Sequence, residues 1–389
     1  MNSLFAGQGL GFWYRAARPA SFGQSVMPYI LGALIGLSSL IHAGPRSGLP
    51  LSFLAGGSTS PSFGILSPFI DSNISILAVS ILAGILGLIG VILAHAGMNL
   101  LDDYFDMKKG AVARREELLD GGFRARLGKC AYLKSGNLTL DDLKRAALSF
   151  LICALGFGAL LFALRGWEVL VFALITLILG ISYAGPPLRL SYRGFGELVI
   201  AFLFGPVLIT AASFLVSGHI SSLVLFSSIP IGLLVANIVH THAVMDYGPD
   251  LAAQRKTLPI LLGSERAGIL ASVCFVLAAQ ASILIGIALN ILPLAALLIA
   301  ISYPLTVSFI KLALRYVDRD GQKETDFNFE PKFWMGNFGD WEKSKAGGLA
   351  WFMSRWLSAR NLVMQVTFVL AFAAFTPWTL QSILSLLGS

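Results

Sequence analysis

The chain has 389 residues, of which 56% are hydrophobic and only 13% are charged, and its mean hydropathy is +0.76. Soluble domains average about 25% charged residues, so a surface this apolar must largely face lipid. The formal net charge of +7 is typical of a membrane protein with basic inner loops, and we expect no nucleic-acid partner. The cysteines show no disulfide or zinc spacing, which argues against both kinds of site.

Nine apolar stretches are long enough to cross the hydrocarbon core, which takes about 20 residues of helix. The first 20 residues carry no small-residue cleavage site after an apolar core, so we expect no cleaved signal peptide. The sequence therefore predicts one all-α, polytopic membrane domain over residues 1–389 with nine transmembrane helices. The predicted spans are 22–42, 76–101, 146–164, 168–185, 197–217, 221–244, 267–287, 291–312 and 361–386.

The distribution of Lys and Arg predicts the orientation in the membrane. The loops 102–145, 186–196 and 245–266 carry many basic residues, whereas the opposite loops carry few apart from Arg46 and Arg165. Basic loops stay on the cytoplasmic side of a membrane. We therefore expect an inner or cell membrane protein with its N-terminus inside, its C-terminus outside and its long basic loops in the cytoplasm.

Two segments resemble insertions between spans. Residues 43–75 form a predicted outer-side loop rich in Gly, Ser and Pro, and residues 316–360 form a predicted cytoplasmic insertion rich in aromatic residues. The second half of the aromatic insertion has two interpretations. It is a helix in the membrane interface with Trp351, Phe352 and Trp356 toward lipid, or a loop packed over the cytoplasmic face.

A cluster of carboxylates follows the second predicted span, in the stretch "NLLDDYFDMKKG". The cluster consists of Asp102, Asp103 and Asp106, within one and a half helical turns. On a helix Asn99 and Asp103 share a face, because residues four apart are neighbours. Such a concentration of acids at the mouth of an apolar span indicates a binding function.

A second cluster follows the sixth predicted span, in "HAVMDYGPDLAAQRKTLPILLG", where Asp246 and Asp250 are four residues apart. Basic residues trail both clusters, and both lie on the predicted cytoplasmic side. The matched positions predict an internal duplication, in which helices 1–4 are repeated as helices 5–8 and a ninth helix follows.

Hard divalent cations prefer carboxylate oxygen, and Mg²⁺ typically takes one or two carboxylates together with substrate phosphates. Two acidic clusters at the same membrane depth therefore predict Mg²⁺ ions that clamp a diphosphate, with nearby Lys and Arg taking the remaining phosphate charge. A diphosphate held in this way is a good leaving group.

These motifs resemble the UbiA superfamily of intramembrane prenyltransferases, and within it the MenA-like 1,4-dihydroxy-2-naphthoate polyprenyltransferases. Besides the two Asp motifs, the resemblance rests on "ARPASFGQSVMPYILG", "DGGFRARLGKCAYLKSGNLT" and "SYAGPPLRLSYRGFGEL". Four positions depart from the branch pattern. Asp102 stands where Asn is usual, His242 and Met245 stand where Asn and Arg are usual, and Gln254 replaces a Gly.

The resemblance implies nine helices around a central cavity and transfer of an isoprenoid chain from its allylic diphosphate to an acceptor. The implied acceptor is 1,4-dihydroxy-2-naphthoate or a similar aromatic quinone precursor, as in menaquinone-type biosynthesis, and membrane lipid surrounds the protein. The implied Mg²⁺ ligands are Asp102, Asp103, Asp106, Asp246, Asp250 and Asn99, which are also the catalytic and binding residues of the diphosphate end.

The resemblance also implies substrate contacts. Lys108, Arg124 and Lys256 are candidates for the diphosphate, Arg189, Tyr192 and Arg193 cap the cavity or touch diphosphate, and Tyr183 and Glu197 lie near the acceptor. Arg18 either reaches the cavity or anchors at the lipid headgroups. His242 either relays a proton or bonds Asp246, and interior hydrogen bonds are the expected fate of His95 and His240 as well.

Two alternatives stay open at this point. One is another UbiA-type prenyltransferase or a terpene cyclase, with a different acceptor. The other is a membrane transporter, because internal repeats and intramembrane acids also occur in transporters. Prenyl chain length and oligomeric state are not encoded in any of these motifs.

Overall fold

The structure is a computed structural model that describes residues 9–43, 73–108, 133, 138–252, 254–317 and 328–376. Within these ranges the chain is helical and forms no strand, apart from one isolated β-bridge. The all-α class predicted from the sequence is confirmed. Most of the predicted 43–75 loop, most of the 102–145 loop and the start of the 316–360 insertion lie outside the described residues, as does Arg124.

Thirteen helices account for most of the described chain. They are α1 (Leu10–Ala16), α2 (Gly23–Ala43), α3 (Asn73–Lys108), α4 (Leu140–Arg165), α5 (Glu168–Ala184), α6 (Gly196–Ser217), α7 (Ser222–Met245), α8 (Tyr247–Ala252), α9 (Leu258–Leu261), α10 (Glu265–Ala288), α11 (Leu294–Val317), α12 (Trp341–Ala346) and α13 (Ala350–Ala374). Helix α6 contains a π-helical turn at Leu203–Val207 around Pro206, and α11 begins as a 3₁₀-helix. Proline removes a backbone donor, which accounts for the irregular turn in α6.

Eight of the described helices are long and apolar enough to cross a membrane: α2, α3, α4, α6, α7, α10, α11 and α13. The apolar helix α5 has 17 residues and coincides with the fourth predicted span. Where the structure describes them, the predicted spans therefore correspond to helices; residues 377–386 of the last one lie outside the described residues, and the number of nine crossings stays a prediction.

The last span begins earlier than the sequence predicted. Helix α13 starts at Ala350, whereas the prediction began at residue 361. The second half of the aromatic insertion is therefore not a loop: it leads into a helix and supplies the first turns of α13. Trp351 is only 3% exposed, and its ring lies 5.7 Å from that of Tyr316, so it does not face lipid. Two arginines in these turns lowered the apparent hydrophobicity and concealed the start of the helix.

The described chain divides into two compact units. Unit 1 comprises Met1–Leu190 and Pro206–Leu225, and its helices α2 and α6 pack closely where Gly36 meets the backbone of Ser213. A Cβ atom on Gly36 would lie 2.6 Å from the Ser213 carbonyl oxygen. Glycine at this contact lets the two backbones approach, as small residues do between membrane helices.

A buried cation joins three helices of unit 1. The Arg165 guanidinium, at the end of α4, donates hydrogen bonds to the carbonyls of Leu215 and Val216 at 2.6 and 2.8 Å, and to Ser80 Oγ at 2.7 Å. The two carbonyls belong to the C-terminal end of α6, where cations are favoured. Arg165 therefore stabilises packing, rather than serving only as a basic residue of an outer loop.

Unit 2 comprises Ser191–Gly205 and Phe226–Ser389. In it the first half of α6 packs on α7, and a Cβ atom on Gly205 would lie 2.7 Å from the Ser228 carbonyl oxygen. Helix α11 packs against both α10 and α13. The predicted duplication places one Asp cluster in each unit, at Asp102–Asp106 and at Asp246–Asp250, and the duplication itself stays a prediction.

Candidate active site

The first Asp cluster lies on the last turns of α3. The helix continues to Lys108 and has 36 residues, so it is about 54 Å long and extends beyond the hydrocarbon core of a bilayer. Asp103 and Asp106 are 1% and 3% exposed, whereas the Asp102 side chain is 25% exposed. The structure therefore gives the first cluster a buried pair of carboxylates and one more accessible carboxylate.

Arg18 contacts this cluster from the N-terminal segment. Its Nη2 atom lies 3.3 Å from Asp103 Oδ1 and 3.6 Å from Asp102 Oδ2, and it donates a hydrogen bond to the Asn99 carbonyl at 3.1 Å. The backbone of Arg18 is left-handed, with φ 61°. That conformation costs about 1–3 kcal/mol for a residue with a Cβ atom, so the surrounding contacts must hold it. The structure places Arg18 beside the acids of the first cluster, and its reach into a cavity stays a prediction.

Asn99 holds the N-terminal segment against α3. Its Nδ2 atom donates hydrogen bonds to the Ala17 carbonyl at 2.9 Å and to Ser21 Oγ at 3.0 Å. One turn earlier, His95 Nδ1 lies 2.8 Å from Ser25 Oγ, which is the interior hydrogen bond expected from the sequence. The amide nitrogen of Asn99 is thus engaged in positioning Arg18, and its amide oxygen is the atom that would ligate a metal.

The second Asp cluster spans the junction between α7 and α8. Asp246 follows the last residue of α7, Asp250 lies in α8, and both are buried. The Asp250 amide donates to the Asp246 carbonyl at 2.8 Å, so the four-residue spacing is preserved across the junction. The second cluster, like the first, presents a buried pair of carboxylates.

Arg255 is the cation of the second cluster, and the sequence-based list of site residues named its neighbour Lys256 instead. Arg255 Nη1 lies 3.7 Å from Asp250 Oδ1, and the guanidinium stacks 4.1 Å from the centre of the Tyr192 ring. Lys256 is exposed and forms a backbone β-bridge with Arg193. In the sequence, Arg255 is indicated only as a basic residue five positions after Asp250. The turn that returns its side chain to the Asp250 carboxylate cannot be inferred from that spacing.

That turn passes through Gln254, which has a left-handed backbone with φ 53°. Glycine adopts this conformation without a steric cost, whereas glutamine does not. Gln254, which stands where the resemblance leads one to expect Gly, therefore adopts a glycine-like conformation at a cost in backbone energy.

Glu197 has a partner other than the predicted acceptor. Its Oε1 atom lies 2.8 Å from His240 Nδ1, and His240 Nε2 lies 2.7 Å from the Gly268 carbonyl oxygen. A carbonyl oxygen only accepts, so His240 donates to Gly268 through Nε2 and pairs with Glu197 through Nδ1. All of these groups are buried within unit 2. Glu197 therefore forms a buried pair with His240, and its place near the acceptor stays a prediction, while the interior hydrogen bond expected of His240 is present.

His242 lies one turn before Asp246, as the spacing predicted, and its carbonyl accepts from the Asp246 amide at 3.0 Å. Its ring packs against aromatic side chains of α13. The ring centres of His242 and Phe352 are 4.8 Å apart, and those of His242 and Trp356 are 5.5 Å apart. The sequence did not predict these neighbours, because α13 was expected to begin after both of them.

The remaining predicted contacts are distributed over both units. In unit 1, Lys108 is exposed with its Nζ atom 5.8 Å from the centre of the Tyr104 ring, Tyr183 is half-buried near the end of α5, and Arg189 has a left-handed backbone. In unit 2, Tyr192 is half-buried beneath Arg255, and Arg193 is exposed. The structure thus joins Tyr192, Arg193 and Lys256 to the second cluster.

The donor atoms of both clusters suit a hard cation, because carboxylate oxygens are the ligands that Mg²⁺ prefers. No group of three or more His, Cys, Asp or Glu side chains in the described part of the chain is arranged to hold a metal by itself. Each buried pair can therefore supply only part of a coordination shell. Water and substrate oxygens normally complete the shell of Mg²⁺.

Comparison with known proteins identifies related chains. The model of the UbiA prenyltransferase family matches residues 75–338. The 2-carboxy-1,4-naphthoquinone phytyltransferase of Synechocystis sp. is 31% identical over 242 residues, which cover 60% of this chain and 72% of the relative. The 1,4-dihydroxy-2-naphthoate octaprenyltransferase of Bacillus subtilis is 30% identical over 180 residues, 46% of this chain and 55% of the relative.

A solved structure of digeranylgeranylglyceryl phosphate synthase covers 94% of this chain and 98% of its own chain with a TM-score of 0.54. At 16% sequence identity this likeness shows a shared fold.

Proposed function

Because the chain belongs to the UbiA prenyltransferase family, we propose that it transfers a polyprenyl group from an allylic diphosphate to a 1,4-dihydroxy-2-naphthoate-type acceptor, with Mg²⁺ as cofactor. The observation that carries this proposal is the pair of buried carboxylates in each unit, Asp103 with Asp106 and Asp246 with Asp250, each pair with an arginine beside it.

Charge explains why the carboxylates need a metal. Ionised carboxylates only accept hydrogen bonds and repel a diphosphate, so they do not bind it directly. Mg²⁺ held by the Asp pairs would supply the charge that stabilises the departing diphosphate oxygens. Arg18 and Arg255, already beside the acids, would compensate the remaining charge, together with the exposed Lys108 and Lys256.

The reaction has a simple balance. The bond between the allylic carbon and the diphosphate oxygen breaks, with the electron pair leaving on oxygen. A ring carbon of the acceptor forms the new carbon–carbon bond, and a proton or carbon dioxide leaves the ring. The protein needs no nucleophilic side chain for these steps; its own residues bind the diphosphate, orient the acceptor and exclude water.

The names of the related proteins support an acceptor of the naphthoate type, since two relatives act on a dihydroxynaphthoate or a carboxynaphthoquinone. The basic loops support placement of the diphosphate end on the cytoplasmic side, with the N-terminus inside. The substrate tail would then lie among apolar helices.

The test measures diphosphate release from geranylgeranyl diphosphate by the purified protein in lipid. The acceptor 1,4-dihydroxy-2-naphthoate and Mg²⁺ are each included or left out. We expect release to require all three, and Asp106→Asn to lower kcat by about 100-fold or more, because metal ligands supply several kcal/mol. Asp141→Asn is the matched control, since Asp141 is exposed at the start of α4.

Normal turnover by Asp106→Asn would refute the metal-site assignment. Release that is independent of the acceptor would instead indicate another acceptor or a cyclase.

A further inference from the structure

Three aromatic rings of unit 2 form a surface that we call the aromatic wall: His242 of α7, with Phe352 and Trp356 of α13. The two α13 rings stack with an interplanar angle of 27° and centres 6.4 Å apart. The His242 ring packs against both of them. The wall therefore joins the early turns of α13 to the last turns of α7.

The wall adjoins the second Asp cluster through the chain itself. His242 precedes Asp246 by one helical turn, and the Asp246 amide donates to the His242 carbonyl at 3.0 Å. One turn of helix advances about 5.4 Å. His242, at one edge of the wall, is therefore about one helical turn from Asp246 along the chain.

The three rings of the wall are neither fully buried nor fully exposed, so part of each remains accessible. In contrast, Trp351 and Trp341, which also belong to unit 2, are buried. A surface of partly open aromatic rings is suited to stacking against a flat ring, which is favoured by about 0.5–1.5 kcal/mol per pair beyond the area buried.

Two hydrogen-bond donors at the wall lack an acceptor among the described residues. These donors are the Trp356 Nε1–H and the Arg360 Nε–H, and both nitrogen atoms are buried. The Arg360 guanidinium lies 5.7 Å from the centre of the Trp356 ring. Leaving a buried donor unmatched costs about 1–3 kcal/mol. Trp341 Nε1 shares this feature, so an unmatched indole alone does not define a site. Beside the wall, an indole donor and a guanidinium donor occur together, and the Arg360 guanidinium is held there by hydrogen bonds from Nη2 to the Asn337 carbonyl and to Asn361 Oδ1.

From these features we propose that the aromatic wall binds the acceptor. An aromatic ring would stack on Phe352 and Trp356, while an ionised oxygen substituent would accept from Trp356 Nε1 and Arg360 Nε. This inference rests on the proposed function and adds the acceptor-binding residues. The isoprenoid chain fits the wall less well, because it has no oxygen to match the two donors.

The test separates acceptor binding from donor binding. In Trp356→Phe the ring remains and the N–H is lost, so we expect the KM for 1,4-dihydroxy-2-naphthoate to rise about tenfold while the KM for geranylgeranyl diphosphate stays within about twofold. Trp341→Phe makes the same chemical change at a buried indole away from the wall, and it should leave both KM values unchanged.

A second substrate sharpens the test. The compound 1,4-dihydroxynaphthalene has the same ring but no carboxylate, so its KM in the unaltered protein should be about tenfold higher than that of the naphthoate. In Trp356→Phe this preference should shrink by several fold. Phe352→Leu, which keeps volume but loses the aromatic face, should weaken both acceptors equally.

Direct binding of radiolabelled naphthoate without donor provides a readout that does not depend on turnover. If the unaltered protein transfers no prenyl group, the proposed function fails, yet binding that is weakened in Trp356→Phe and not in Trp341→Phe would still support the wall. If transfer occurs while Trp356→Phe changes neither binding nor acceptor preference, the wall assignment is wrong. An equal rise in donor and acceptor KM would overturn it as well.

Discussion

The two Asp clusters each place a buried carboxylate pair beside an arginine, but they are built differently, and only the first has a third, more accessible carboxylate, Asp102. Each has two buried carboxylates and one arginine, yet Arg18 comes from the N-terminal segment, 81 positions before Asn99 of α3, whereas Arg255 follows Asp250 by one short turn. The first cluster therefore depends on a long-range contact, and the second is largely local. The comparison teaches that similar electrostatics can rest on tertiary packing in one unit and on backbone geometry in the other.

The two arginines also differ in how they use the guanidinium. Arg18 makes three contacts through Nη2, while Arg255 places its flat face on Tyr192. The lysine ammonium group can replace a guanidinium that acts through one nitrogen atom, but it cannot replace a planar guanidinium stacked on an aromatic ring. We expect Arg18→Gln and Arg255→Gln each to lower kcat/KM for the diphosphate by about 10–100-fold, as hydrogen bonds to charged groups are worth about 1.5–3 kcal/mol.

The lysine variants distinguish the clusters. Arg18→Lys should recover most of the activity lost in Arg18→Gln, whereas Arg255→Lys should behave like Arg255→Gln. Steady-state kinetics with varied donor concentration measures both pairs, and the exposed Arg145→Gln at the start of α4 serves as a control. Equal rescue by lysine at both positions would contradict the difference drawn between them.

Asn99 tests whether the first cluster depends on its long-range contact. Asn99→Ala removes the hydrogen bonds to Ala17 and Ser21, so thermal unfolding should show a loss of about 1–2 kcal/mol in stability. The effect of Arg18→Gln on activity should then become smaller in the Asn99→Ala background, because Arg18 is already displaced. A double-mutant cycle measures this coupling.

Strictly additive effects of the two substitutions would show that Asn99 does not position Arg18. A loss of Mg²⁺ affinity in Asn99→Ala with unchanged stability would support its predicted role as a ligand instead.

The sequence could predict features that follow from helical periodicity or from the chemistry of a single residue. Most span ends and the four-residue spacings of Asn99 with Asp103 and of Asp246 with Asp250 follow from helical geometry. The interior hydrogen bonds of His95 and His240 follow from the cost of leaving polar groups unmatched in a membrane. Family membership also removes the transporter alternative, because the chain is a prenyltransferase.

Other features depend on contacts that no spacing encodes. Arg165 and Arg355 are buried, although arginine in a sequence usually indicates an aqueous loop. Arg355 lies within α13 and stacks 3.8 Å from the centre of the Tyr316 ring of α11. The same tertiary contacts bring Phe352 and Trp356 to His242, so the aromatic wall could not be foreseen from the aromatic content of the insertion.

The smallest expected effect concerns the local turn of the second cluster. Gln254→Gly should stabilise the protein by a few tenths to about 1 kcal/mol. The left-handed conformation costs glutamine about 1–2 kcal/mol, and the larger entropy loss of glycine on folding offsets part of the gain from removing that cost. Activity should change little, since the path from Asp250 to Arg255 is preserved. Ala252→Gly, in the right-handed helix α8, is the matched control and should destabilise by about 0.5–1 kcal/mol. Thermal unfolding of both variants decides the matter: destabilisation by Gln254→Gly would mean that the glutamine side chain, and not the backbone turn, holds Arg255 beside Asp250.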